Sequence, residues 1–241
     1  MKIGIIGAMT EEVSLLRERM NRADIETIAG STCHTGTIDG IDVVILQSGI
    51  GKVNAAIGTT LMIQNQQPDY IINSGCAGGF HPDLAVGDIV ISTEIRHHDV
   101  DATIFGYEYG QVPQMPAFYQ ADPVLVTMAA KAAQTHLDLR VHQGLIASGD
   151  SFMSDDNRVA LIKSKYPHLY AAEMEAAAIA QVCHQFRIPF VVIRSISDIA
   201  GQDAKLSYEQ FMELAAERSA QIALSMLAQL GQHSRGVKVH A

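Results

Sequence analysis

Short apolar runs of strand length recur along this chain, and each empties into small or acidic residues. The first, Lys2-Ile3-Gly4-Ile5-Ile6-Gly7-Ala8, is too continuous for a half-solvated strand. It marks a strand buried on both faces. Thr10 then offers an N-cap, Glu11 and Glu12 suit a first helical turn, and Val13, Leu15, Leu16 and Met20 form a helical stripe. Residues 70–73 empty into Ser74-Gly75-Cys76-Ala77-Gly78-Gly79, residues 141–147 into Ser148-Gly149-Asp150-Ser151, and residues 189–195 into Ser197-Asp198. Doubly buried strands alternating with helices predict an α/β fold, a three-layer αβα single domain around a twisted, mixed and largely parallel central sheet. Ligands of such sheets bind outside the carboxyl ends of the strands. The unusual residues of this chain fall there.

The other elements follow from local signals. Residues 33–38 and 42–47 flank Asp39-Gly40, which predicts a hairpin. Ser48-Gly49-Ile50-Gly51-Lys52 leads into a helix over 53–64, and residues 88–94 read as a strand. Helices are expected over 123–137 and 155–164, from Glu173-Met174-Glu175 to about 185, and over 207–230 with Ser207 as cap. Residues 101–121 are irregular and hold Phe105, Tyr107, Tyr109, Phe118 and Tyr119 with Pro113 and Pro116. A long aromatic loop is expected to be functional or an interface. With no linker or repeat, the division is one domain over 1–231 and a polar, frayed tail over 232–241.

Composition removes several function classes. Lys and Arg number 17 against 26 Asp and Glu, a net charge of −9, so nothing offsets repulsion from a nucleic-acid backbone. No apolar run approaches the roughly 20 residues of a membrane helix. The opening run is short and meets Glu11 and Glu12 at once, unlike a secretion signal. Cys33, Cys76 and Cys183 are odd in number and far apart, which fits a reducing cytoplasm rather than a disulfide framework or a zinc knuckle. His97-His98-Asp99 is a weak metal signal, because neighbours on a strand point to opposite faces; a strand end or interface is the favoured reading. Gly4 and Gly7 miss the G-x-G-x-x-G spacing, and Gly49-Ile50-Gly51-Lys52 is not a Walker A loop. Nicotinamide and nucleoside triphosphate enzymes are thereby disfavoured.

The chemistry-bearing residues are carboxylates and one arginine. Asp198 leaves a run in which Arg194 is the lone charge, so poor solvation should raise its pKa and make it a proton donor; the alternative is a cap on the next turn. Arg194, inside that strand, needs an anionic partner, with Glu12 and Glu173 as candidates. Glu173 and Glu175 sit at a strand-to-helix junction. One can hold Arg194 while the other accepts ligand hydroxyls, or both can stabilise the helix N-terminus. Glu12 is either a first-turn dipole partner or a base facing the crevice. Phe152, Tyr208, Met9 and Met174 form either an apolar slot or plain core.

Together Gly4-Ile5-Ile6-Gly7-Ala8-Met9 with Glu12, the 48–52 and 73–79 segments, Phe105-Gly106-Tyr107, Ser148-Gly149-Asp150, Glu173-Met174-Glu175 and Ser195-Ile196-Ser197-Asp198 resemble, in order, the bacterial 5′-methylthioadenosine/S-adenosylhomocysteine nucleosidases of the nucleoside phosphorylase superfamily. The resemblance covers about residues 1–230. It implies that Asp198, assisted by Ser197, protonates adenine N7, that Glu12 activates water with Arg194 and Glu173 around it, and that Glu175 and the Met174 backbone hold the ribose. Phe152 would stack on adenine and the Met153 backbone would read its edge. Met9, Ile50 and Tyr208 would line the 5′-alkylthio end, with Cys76 near the water site and Gly78 in the close-approach segment. Cys76 stands where many relatives carry serine, and Tyr208 and Ala102 where they often have Phe and Val. The resemblance further implies a homodimer in which the partner's Ala102, Phe105 and Pro113 close the 5′ pocket. It implies no metal or organic cofactor, and a place in methionine salvage. Phosphorolysis on the same fold and non-catalytic nucleoside binding are the rival readings. Glu12 and the scarcity of arginines speak against the first, and the inward carboxylates against the second.

Overall fold

The computed structural model describes residues 1–136, 138–201 and 204–238, with side chains through Gly231. Ten strands are present among the described residues: β1 (Lys2–Gly7), β2 (Asn21–Ile28), β3 (Ser31–Ile38), β4 (Ile41–Gln47), β5 (Tyr70–Gly79), β6 (Ile89–His97), β7 (Tyr119–Gln120), β8 (Val141–Ser148), β9 (Leu169–Glu173) and β10 (Phe190–Ile199). The helices are α1 (Thr10–Glu18), α2 (Lys52–Gln66), α3 (Pro123–Ala133), α4 (Asp156–Lys165), α5 (Ala176–Phe186) and α6 (Ala204–Lys238).

The strands lie in the order β10-β6-β8-β9-β5-β1-β4-β3-β2, and β10 also pairs with β5. That extra ladder closes β10, β6, β8, β9 and β5 into a ring, from which β1, β4, β3 and β2 extend as an open wing. The sheet is mixed. β1 pairs in parallel with both β4 and β5, and β5 with β10, whereas β5–β9, β6–β10, β6–β7 and the wing strands β2–β3–β4 are antiparallel.

Alternation along each strand explains the layers. Ile3 and Ile5 of β1, Ile45 of β4, Ile72 of β5 and Ile193 of β10 pack with Val13 and Leu16 of α1, Leu125 of α3 and Met226 of α6. Ile6, Val44, Leu46, Ile71 and Val192 face the other way, onto Ala55 and Met62 of α2 and Ile179 of α5. Both faces are apolar, which is why these segments read as unbroken apolar runs. Gly4 shows how close the second layer lies: a Cβ there would come within 2.7 Å of Met62 Sδ.

Several local expectations need correction. β2 escapes the sequence pattern because every one of its side chains is exposed, so it is held to β3 by backbone pairing without an apolar signature. The 74–79 segment continues β5 as strand, paired with β10 and β9. Met9, not Thr10, is the N-cap of α1, and α6 begins at Ala204, so Ser207 is no cap; its hydroxyl donates to the Ser197 carbonyl at 3.0 Å. α3 ends at Ala133, and the expected end at residue 137 lies outside the described residues. The α6 backbone stays helical to Lys238, through most of the stretch expected to fray, and 239–241 lie outside the described residues. The Asp39-Gly40 hairpin forms as expected, with φ of 50° and 80°, the left-handed pair of a type I′ turn.

Ile72 is fully buried in β5, the strand shared by the ring and the wing. Ile72→Ala is expected to lower unfolding free energy by about 2–5 kcal/mol in urea denaturation; a loss below about 1 kcal/mol would contradict this packing.

Candidate active site

One cavity of about 410 Å³ opens at the carboxyl ends of β1, β5, β9 and β10. Every residue expected at the site lines it except Arg194, Ala102, Phe105 and Pro113. Arg194 lies behind the wall and is 2% exposed. Ala102 is buried elsewhere in its own loop, and Phe105 is 79% exposed on the surface. Pro113 is exposed too.

Glu12 is turned back from α1 onto the end of β1. Its Oε2 accepts the amides of Ala8 at 2.7 Å and Met9 at 3.1 Å, and its Oε1 accepts the Cys76 amide at 2.9 Å. Glu12 therefore serves the helix N-terminus and faces the cavity at once. Gly75 makes room for it, since a Cβ there would collide with Glu12 Oε1 and crowd Arg194 Nη1.

Glu173, at the end of β9, is the partner of Arg194. Arg194 Nη2 donates to Glu173 Oε2 at 2.6 Å and to Asn73 Oδ1 at 2.7 Å, while Asn73 Nδ2 donates to the Ile6 carbonyl at 2.9 Å. Glu173 Oε2 also accepts the amides of Glu175 at 3.0 Å and Ala176 at 2.8 Å, and the Ser148 hydroxyl donates to Oε1. Burial pushes Glu173 up, but the Arg194 charge and these donors hold it below the ordinary carboxylate value.

Glu175 has a different environment. Burial first, and then the charge of Glu173, push its pKa up to about 8. Its Oε1 accepts one amide, that of Gly51, at 2.8 Å. Gly51 adopts φ of 96° at the α2 N-terminus. Its turn is pinned by the Lys52 amide on Asp150 Oδ1 at 2.7 Å, by Lys52 Nζ on Asp99 Oδ1 at 2.5 Å, and by the Asp150 amide on Asp99 Oδ2 at 3.0 Å. Asp99, weighed from sequence with His97 and His98 as a metal signal, is thus engaged with Lys52. Among the described residues no group of three His, Cys, Asp or Glu side chains is placed to hold a metal.

Asp198 owes its aim to a bulge. Along the β10–β5 ladder Ile196 pairs with Ala77 and Asp198 with Gly78, leaving Ser197 as the extra residue. Regular alternation would send Ser197 and Asp198 to opposite faces; the bulge turns both into the cavity. Asp198 is buried, and burial raises its pKa against the opposing hydrogen bond that Ser197 Oγ donates to Oδ1 at 2.7 Å. A Cβ on Gly78 would stand 3.0 Å from Asp198 Oδ2, so glycine gives the carboxyl its space.

Phe152 and Tyr208 form the apolar side, with ring centroids 5.6 Å apart at 72°, and the Tyr208 hydroxyl reaches Met9 Sδ at 3.3 Å. Sequence reading missed Asn73 and Ser148, which act from behind the wall, and Lys205 and Glu209 at the rim. Neighbours of an expected strand end or helix start were the signal available for all four.

The model of the phosphorylase superfamily matches residues 2–228. A 5′-methylthioadenosine/S-adenosylhomocysteine nucleosidase of Bacillus cereus is 54% identical over 230 residues, 95% of this chain and 100% of that one. The nucleosidase of Neisseria meningitidis, solved with methylthio-immucillin-A, superposes with a TM-score of 0.92 at 45% identity, over 94% of this chain and 98% of that one. That of Colwellia psychrerythraea, solved with adenine, gives 0.93 at 50% identity, over 95% and 96%. The chain belongs to the 5′-methylthioadenosine/S-adenosylhomocysteine nucleosidase family within that superfamily.

The raised pKa of Glu175 sets a stability trend. In the unfolded chain the group ionises near its ordinary 4.5, and in the folded chain only near 8. Over that window the unfolded state sheds the proton first, so stability falls as pH rises to about 8 and stays low above it. Glu175→Gln is expected to gain on the parent between pH 5 and pH 9, by about 2–4 kcal/mol at the alkaline end, read as a widening Tm difference. A pH-independent difference would contradict it.

Proposed function

We propose that this chain hydrolyses the N-glycosidic bond of 5′-methylthioadenosine and S-adenosylhomocysteine, and of 5′-deoxyadenosine by the same chemistry, releasing adenine. The observation that carries the reading is a pair of unlike carboxyl groups in one cavity: Asp198, whose pKa burial raises, and Glu12, held by three amides. Asp198 gives its proton to N7, with Ser197 orienting it, and adenine departs neutral. The ribose becomes oxocarbenium-like as the bond lengthens. Glu12 accepts a proton from the attacking water. Glu175, gripping the ribose hydroxyls with the Met174 backbone, stabilises in its ionised form the positive charge that develops beside it. Arg194 keeps Glu173 anionic and fixed, which sets the position of Glu175 two residues on. Phe152 stacks on adenine, the Met153 backbone reads its edge, and Met9, Ile50 and Tyr208 take the 5′-alkylthio group. Cys76 anchors Glu12 through its amide at 2.9 Å and its thiol at 3.5 Å.

Water is favoured over phosphate as nucleophile because Glu12, Glu173, Glu175 and Asp198 line the cavity, while Lys205 at the rim is the lone Lys or Arg among the described lining residues. A phosphate dianion finds no counter-charge at the floor.

The reading extends to a homodimer. Ile104 and Phe105 are almost fully exposed apolar side chains on the 101–121 loop, and Ile50, Val53 and Ile57 expose an apolar stripe leading from the cavity along α2. Loop residues from a second copy, among them Phe105, Pro113 and the more buried Ala102, would cover that stripe and close the 5′ end. Methionine salvage in the cytoplasm is the setting that matches this chemistry; among the described residues no helix is long and apolar enough to cross a membrane.

Adenine release from purified protein without phosphate tests the reaction, and a strict phosphate requirement would overturn it. Asp198→Asn is expected to lower kcat about 10²–10⁴-fold, with calorimetric binding of 5′-methylthioadenosine retained. Undiminished turnover would remove Asp198 as the acid.

A further inference from the structure

Two charged side chains at the cavity rim have no part in the chemistry above. Lys205 and Glu209 stand one turn apart near the start of α6, both line the cavity, and Lys205 Nζ lies 3.8 Å from Glu209 Oε1. Tyr208 lies between them in sequence and turns its hydroxyl onto Met9 Sδ, at the apolar end of the cavity. The wall thus passes from acids at the floor, through Met9, Ile50 and Tyr208, to one cation and one anion side by side.

The pair is solvated, with side-chain exposures of 82% and 59%, and a loose, exposed i,i+4 ion pair is cheap to part. Near the α6 N-terminus the helix dipole adds to the positive end of the pair. A ligand group carrying a carboxylate and an ammonium on one carbon could exchange with this ion pair at no net change in charge.

We propose that Lys205 and Glu209 form a subsite for the α-amino acid end of S-adenosylhomocysteine, Lys205 meeting the carboxylate and Glu209 the ammonium. The proposal rests on the nucleosidase reading, in which the 5′ substituent leaves past Met9 and Tyr208. 5′-Methylthioadenosine ends in a methyl group and stops at the apolar wall. The pair therefore sets preference between the two substrates and leaves bond cleavage to the carboxyls at the floor. Because both groups are wet, the preference is salt-sensitive.

The test is the ratio of kcat/KM for S-adenosylhomocysteine to that for 5′-methylthioadenosine, in the parent, Lys205→Gln, Glu209→Gln and the double variant, at low and high salt. Each single substitution is expected to lower the ratio about fivefold, through the KM of the longer substrate with its kcat kept. The parent ratio should fall with added salt, and the double variant should lose that dependence. Ratios within about twofold of the parent in all three variants would overturn the subsite, provided the parent releases adenine from both substrates. A parent that releases adenine from neither would overturn the nucleosidase reading and the subsite with it.

Discussion

The ion pair between Arg194 and Glu173 organises the site from behind. Taking two charges out of water is costly; Glu173 is met by Arg194, Ser148 and two amides, and Arg194 Nη2 by Glu173 and Asn73, while its buried Nε and Nη1 have no hydrogen-bond partner among the described residues. Those partners belong to β10, β9, β8, β5 and the start of α5. One buried pair therefore ties together four of the five strands of the ring, and the ends of three of them, β5, β9 and β10, line the cavity. The negative charge it keeps on Glu173 is also part of what pushes Glu175 up.

Glu12, Glu173, Glu175 and Asp198 are chemically similar and sit around one cavity, yet their surroundings differ. Amide donors gather on Glu12, a guanidinium holds Glu173 low, burial and then a neighbouring anion lift Glu175, and burial raises Asp198 against a single opposing hydroxyl. Division of labour among identical functional groups is thus written in the backbone around them, in a bulge at Ser197 and in glycines at 51, 75 and 78.

Much of this was legible in the residue order. The doubly buried strands, the Asp39-Gly40 hairpin and the clustering of acids at strand ends are local signals with local causes. The partner of Arg194 was not legible, because Glu12 and Glu173 were equivalent until the strands were placed. The second pairing of β10, which closes the ring, joins segments more than a hundred residues apart and leaves no mark in either. The bulge that brings Ser197 and Asp198 to one face breaks the very alternation by which a strand is read. β2 was invisible for the opposite reason to the core: it buries nothing.

That exposed strand carries a consequence for life at high concentration. Closing five strands on themselves spends most of the hydrogen-bonding margins inside the molecule, and β7, which flanks β6, is only two residues long. Among the described residues β2 is then a long outer edge where a foreign strand could zip on. It bears Arg22, Asp24 and Glu26 in alternation, all in solvent. A row of mixed charge on an outermost strand discourages the templating that seeds aggregates, so these charges guard solubility beside the exposed Ile25 and Ile28.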